Sequence, residues 1–209
     1  MHSERLTEAS DYAAKLHADH TRKGVDCPYL SHLLGVASFV LEYGGSEDAV
    51  AAALLHDAVE DQGGADTLEQ IRRRFGSHVA SIVEQCSDSV ADKTTEKLDW
   101  EFRKRAYIAS LSRKHADALL VTACDKLHNA LAILADHQEA VASGGAAVWD
   151  RFGGKSGAQV VSYYSALRSG LSGRIPGPLE RRLSLVVHQL EQAVDDDERQ
   201  HWVARLLVA

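Results

Sequence analysis

The stretch Ala51-Ala-Ala-Leu-Leu-His56-Asp57-Ala-Val-Glu60-Asp61 constrains this chain more than any other. Ala and Leu at that density favour a buried helix. Nothing in an apolar run calls for His-Asp-x-x-Glu-Asp at its end. His56 and Glu60 are four residues apart, as are Asp57 and Asp61, so in a continuous helix each pair shares a face. One imidazole among several carboxylates suits a hard-to-borderline metal ion, and a divalent cation relieves the repulsion among the acids. A plainer reading is a solvated helix end before the turn Gln62-Gly63-Gly64. Acids at a helix C-terminus oppose the macrodipole, so that reading accounts for the stretch less well.

The rest of the sequence points to a helical setting. Three prolines in 209 residues leave long runs unbroken, and 45% hydrophobic residues can supply a core. Helices are expected over Leu6–His20, Tyr29–Tyr43 and from Glu47 into the His-Asp stretch, with Ser46 as a cap. Asp66 or Thr67 begins a fourth, with Asp66 and Glu69 at capping-box spacing, and Ser77 a fifth. Glu96–Leu111 reads as a charged helix anchored by Leu98, Phe102, Tyr107 and Leu111. His115 or Ala116 starts a long apolar one, Gln159–Ser169 is another, and Leu179–Leu207 is a last long helix interrupted in pattern at Asp195-Asp-Asp-Glu. No βαβ alternation and no repeat occurs. The expectation is an all-α, multi-helix bundle, with residues 1–175 as the catalytic domain. Residues 176–209 form a C-terminal helix on that domain or at an oligomer interface.

Charge and cysteine content narrow the setting. A formal net charge of −7 argues against nonspecific binding to nucleic acid or acidic membrane. Three scattered cysteines, Cys27, Cys86 and Cys124, suggest neither a disulfide framework nor a zinc knuckle. The first residues do not form an apolar signal core, and no run approaches the length of a membrane span. A cytoplasmic protein without membrane or nucleic-acid partners is expected.

Two further residues join the motif as candidate ligands. Asp125 lies inside Leu119-Leu-Val-Thr-Ala-Cys-Asp-Lys-Leu, where a carboxylate is costly to bury without a cation. A salt bridge to Lys126 is a poor alternative, because adjacent helical residues do not face each other. His32, beside Leu33 and Leu34, gains weight only from this context. His32, His56, Asp57 and Asp125 together would form a mixed nitrogen–oxygen site suited to Mn²⁺, Fe²⁺ or Zn²⁺ more than Ca²⁺. Glu60 and Asp61 follow, positioned to orient or deprotonate water or to protonate a leaving group; as bland alternatives they are solvated acids or partners of the ligands.

At this point the chain resembles the HD-domain metal-dependent phosphohydrolases, and among them the hydrolases of guanosine tetra- and pentaphosphate, the RelA/SpoT hydrolase domains and small stand-alone Mesh1-type enzymes. The resemblance rests on Thr21-Arg-Lys-Gly24 with Pro28-Tyr29-Leu-Ser-His32, on Ala53–Asp61, on Phe75-Gly76 with Val79, and on Asp125-Lys-Leu-His-Asn129. It covers roughly residues 5–170. It implies Mn²⁺ on His32, His56, Asp57 and Asp125, and Glu60 and Asp61 in the hydrolytic step. Arg22 and Lys23 would lie at the nucleotide and Asn129 at its sugar. The implied reaction releases pyrophosphate from the ribose 3′ position, leaving GDP or GTP. Leu33 stands where the family often has proline. Lys93, Lys97, Arg103 and Lys104 compete for a basic role at the phosphates, and the choice among them stays open; Lys97, Lys104, Lys155 and Tyr163 are carried in the expected substrate-binding set. Gly153-Gly-Lys-Ser-Gly157 lacks P-loop spacing and no strand precedes it. Two other functions stay open on the residues: an HD phosphohydrolase for another nucleotide or phosphorylated metabolite, and a helical domain that binds a nucleotide without turnover. The small-molecule partner is a nucleotide in each favoured case, and a homo-oligomer is compatible with the apolar stripe of the last helix.

Overall fold

Helix-forming composition, few prolines and glycine-marked breaks give a chain built of helices. The computed structural model describes residues 4–87, 99–144 and 148–207. In order, the helices are α1 (Glu4–Leu16), α2 (Leu30–Glu42), α3 (Glu47–Leu55), α4 (Ala58–Asp61), α5 (Gly64–Phe75), α6 (Ser77–Cys86), α7 (Trp100–Ser110), α8 (Ala116–Ser143), α9 (Gly157–Leu171), α10 (Gly177–Glu191) and α11 (Asp196–Leu207). No strand occurs among the described residues, only an isolated bridge between Thr21 and Pro28. The fold is all-α. Lys93 and Lys97 lie outside the described residues.

The contacts divide the chain into two compact units. The first comprises Met1–Asp99 with Lys114–Asp125. At its centre is α3, in which Ala49 through Leu55 are all buried. Helices α1, α2 and α6 pack around it. Four alanines keep α3 thin, so its neighbours approach closely. The corner into α3 is equally tight: a Cβ on Gly45 would stand 2.4 Å from a Val40 methyl and 2.9 Å from the Val40 carbonyl oxygen. Ser46 then caps α3, its hydroxyl accepting from Ala49 N–H at 3.2 Å.

The second unit comprises Trp100–Arg113 with Lys126–Ala209. Helix α9 runs through it nearly all buried, and α7, α10 and α11 pack against it. Ser156 and Gln159 close a reciprocal capping box at its start. Leu179, Leu183, Val186, Val187 and Leu190 bury one stripe of α10.

Several expectations change. The helix into the His-Asp motif is interrupted: α3 ends at Leu55, and α4 begins only at Ala58. Asp57 carries φ −95° and ψ −5°, outside regular helix. α5 begins at Gly64 without a side-chain cap, so Asp66 and Glu69 form no capping box; Gly63 and Gly64 make the turn with positive φ. α7 starts at Trp100, and Phe102, expected as an anchor, is 59% exposed. The single last helix is two, because the Asp195 carboxylate accepts from Glu198 N–H at 2.8 Å and starts α11 afresh. Finally, α8 is long and apolar enough to cross a membrane by length and composition. Asp125 and Lys126 interrupt it and 67% of its most apolar window is buried within the protein, as in a core helix.

Candidate metal centre

The end of α3 delivers His56 to the centre of the first unit. Its Nδ1 lies 2.8 Å from the Ala53 carbonyl oxygen. A carbonyl only accepts, so Nδ1 carries the proton and points Nε2 the other way. Nε2 stands 3.0 Å from Asp57 Oδ2 and 3.7 Å from Asp125 Oδ1, buried and without a hydrogen bond. His32, in the first turn of α2 and 2% exposed, brings its Nε2 to 3.6 Å from the same Asp57 oxygen and 3.3 Å from the same Asp125 oxygen. An oxygen of Asp57 and an oxygen of Asp125 thus each lie within 3.7 Å of both imidazole nitrogens.

These separations fit a cation. Donors about 2.1 Å from one ion stand about 3.0 Å apart when octahedral neighbours and about 3.4 Å when tetrahedral. The observed 3.0–3.7 Å spans that range. The electrostatics agree. Burial works against a charged His56, yet Asp57 and Asp125 override it and raise its proton affinity well above the ordinary range. Burial likewise works against an ionised Asp57, but His56, with help from His32, holds its carboxyl well below the usual range. The carboxylates favour positive charge between the imidazoles, and His32, His56 and Asp57 form a group that could hold a metal ion.

Tyr29 supports this site from behind. Its hydroxyl donates to Asp57 Oδ2 at 2.6 Å. Burial and the Asp57 charge keep that phenol protonated far above its ordinary range. The Tyr29 ring also stacks on His20, centroids 4.4 Å apart, and on His17, at 5.1 Å. His17 is buried, which pulls its imidazole down to about 4 and keeps it neutral. Tyr29, His17 and His20 carried no assigned role in the sequence. The available signal was Tyr29 one turn before His32, and a His17–His20 pair at helical spacing.

The remaining candidates fall in different places. Glu60 and Asp61 end α4, both partly exposed, with Asp61 Oδ2 3.9 Å from His20 Nδ1. Arg22 and Lys23 sit in the loop between α1 and α2, where Arg22 N–H donates to the Cys27 carbonyl at 2.9 Å and Gly24 turns at φ 82°. Asn129 follows Asp125 by one turn of α8. In the second unit, Lys104 Nζ lies 4.8 Å from the centre of the Tyr163 ring, and Trp100 meets that ring edge-on. Lys155 lies in the turn before α9, partly exposed. Lys97 lies outside the described residues.

Comparisons with known proteins follow the same residues. A family model described as HD domain matches residues 9–159. A probable guanosine-3′,5′-bis(diphosphate) 3′-pyrophosphohydrolase of Synechocystis is 37% identical over 127 residues, covering 59% of this chain and 16% of that protein. The Danio rerio guanosine-3′,5′-bis(diphosphate) 3′-pyrophosphohydrolase MESH1 is 35% identical over 127 residues, covering 59% of this chain and 66% of that protein. A solved structure described as a metazoan SpoT orthologue that hydrolyses ppGpp shares 27% identity at a TM-score of 0.69, covering 90% of this chain and 97% of the other. The chain thus spans a small fraction of the Synechocystis relative and just under two thirds of the Danio one. The matched stretch contains the whole cluster of His32, His56, Asp57 and Asp125 on an all-α frame, and the chain belongs to the HD-domain family.

Proposed function

We propose that this chain hydrolyses guanosine 3′,5′-bis(diphosphate) at its 3′-pyrophosphate, giving GDP, or GTP from the pentaphosphate, and pyrophosphate. One observation carries the reading: the bare, buried His56 Nε2 turned toward two carboxylates and a second imidazole. That donor set would hold Mn²⁺ on His32, His56, Asp57 and Asp125. Bound there, Mn²⁺ would lower the pKa of water and neutralise charge on the phosphoryl group.

The protein's own groups supply the rest. Glu60 or Asp61 takes the proton of the attacking water. Water oxygen bonds to the phosphorus nearest the ribose, the bond to the 3′ oxygen breaks, and that oxygen leaves with a proton. Arg22 can stack on the base or fork onto phosphate, and Lys23 adds a point charge. Asn129 suits the ribose hydroxyls. Lys97, Lys104, Lys155 and Tyr163 complete the proposed substrate contacts. Residues 1–175 would form the hydrolase domain, working in the cytoplasm on a small nucleotide without nucleic-acid or membrane partners; the acidic net charge supports that setting.

The test is product analysis. Purified protein with Mn²⁺ and guanosine tetraphosphate should yield pyrophosphate and GDP in equal amounts. Orthophosphate alone, or turnover confined to other nucleotides, would overturn the substrate assignment. Binding without turnover of any phosphate ester would overturn the hydrolase reading itself.

A further inference from the structure

Beside the first cluster lies a second set of donors, of which the proposed hydrolysis uses at most Asp61. His17 and His20 lie in the turn just past α1, and Asp61 ends α4. One donor atom from each lies within 4.8 Å of the others. His17 Nδ1 and His20 Nδ1 are 3.2 Å apart, close to the roughly 3.4 Å between two nitrogens on one tetrahedral ion. His20 Nδ1 is 3.9 Å from Asp61 Oδ2, about half an ångström beyond ligand spacing.

A hydrogen bond between the imidazoles accounts for the Nδ1–Nδ1 contact but not for the approach of the Asp61 carboxylate to the same His20 atom. His20 and Asp61 also face a way in. A cleft of about 370 Å³ is lined by Lys15, Asp19, His20, Asp61 and Gln62 among others. It admits a hydrated ion and leaves space for water in the open positions.

We propose that His17, His20 and Asp61 form a second cation site, distinct from the His32–His56–Asp57–Asp125 cluster and selective for a late first-row divalent ion of the Zn²⁺ class. Two imidazoles to one carboxylate give a nitrogen-rich set, which favours zinc over manganese. The Tyr29 ring stacks on both imidazoles while its hydroxyl holds Asp57, so the sites are neighbours rather than one bridged pair. Asp61 cannot both ligate this ion and take a proton from water, so occupancy would leave Glu60 alone to serve as the base of the proposed hydrolysis.

Direct metal counting tests the site independently of any substrate. The full-length Asp57→Asn/Asp125→Asn variant, with both carboxylates of the first cluster removed, is equilibrated with Zn²⁺, freed of excess and analysed for bound metal. One zinc per chain is expected, and none when His20→Gln is added. His32→Gln/His56→Gln replaces the Asp57→Asn/Asp125→Asn pair if the latter lacks the wild-type helical circular dichroism. No zinc in the background variant, or zinc that persists when His20→Gln is added, overturns the second site. The hydrolase reading fails separately, on the product assay.

Discussion

Replacing Tyr29 with phenylalanine removes one hydroxyl and leaves its ring stacks on His17 and His20 in place. The lost contact is a 2.6 Å hydrogen bond to the Asp57 oxygen that faces both His32 and His56. The phenol is protonated throughout the working pH range, so it always donates. A hydrogen bond to a charged group contributes about 1.5–3 kcal/mol, equivalent to about 10- to 150-fold in affinity. Support of a ligating carboxylate elsewhere is worth about 10- to 100-fold. Tyr29→Phe should therefore weaken Mn²⁺ binding by about one to two orders of magnitude. The assay is free Mn²⁺ measured by electron paramagnetic resonance across a titration, with the metal dependence of turnover alongside. Turnover at saturating metal should recover most of its wild-type value. Mn²⁺ affinity within twofold of wild type would refute the argument that Tyr29 orients a metal-ligating Asp57.

Other outcomes follow from the same geometry. Asp125→Ala removes one of the two carboxylates facing the imidazoles, and should abolish stoichiometric Mn²⁺ retention in equilibrium dialysis; undiminished retention would remove Asp125 from the ligand set. Glu60→Gln should keep metal bound while lowering kcat by about 10²- to 10⁴-fold, and an unchanged kcat would exclude it as the base. Ser46→Ala deletes the cap of α3 and should cost about 1 kcal/mol in urea unfolding, with no cost if that cap is redundant. Phe75→Ala empties a site 1% exposed beneath α5 and should cost about 3–5 kcal/mol in the same experiment; a loss under 1 kcal/mol would mean the site collapses around the deletion.

The helices were readable where composition and punctuation agreed. Gly44-Gly45 and Ser46 marked the corner between α2 and α3, and Leu119 through Leu134 marked α8. Local pattern failed where a long-range demand prevailed. Ala58 and Val59 favour continuing α3, but the chain turns at His56–Asp57 to aim both side chains at Asp125 and His32. The start of α11 was readable in principle, since Asp195 and Glu198 have capping-box spacing, and was obscured by the run of acids. At the site, the convergence of His32, His56, Asp57 and Asp125 could be anticipated because charged and imidazole groups in apolar helices need a reason. Tyr29 gave no such warning, because a tyrosine is at home in most cores. His17 and His20 meet Asp61 only through the fold, across more than forty residues of sequence that carry no pairing signal.

The turn at His56–Asp57 separates two jobs along the backbone. His56 is fastened by its proton to the Ala53 carbonyl, so α3 itself aims the imidazole. Glu60 and Asp61 ride on α4, a four-residue segment pinned by the buried Ala58 and Val59 and released at Gly63. On the proposed roles, exchange of residues 60–62 would alter the chemistry while leaving the proposed metal ligands in place. For directed evolution this is a small cassette, and for natural divergence it is a place where new substrates can be tried without first losing the metal.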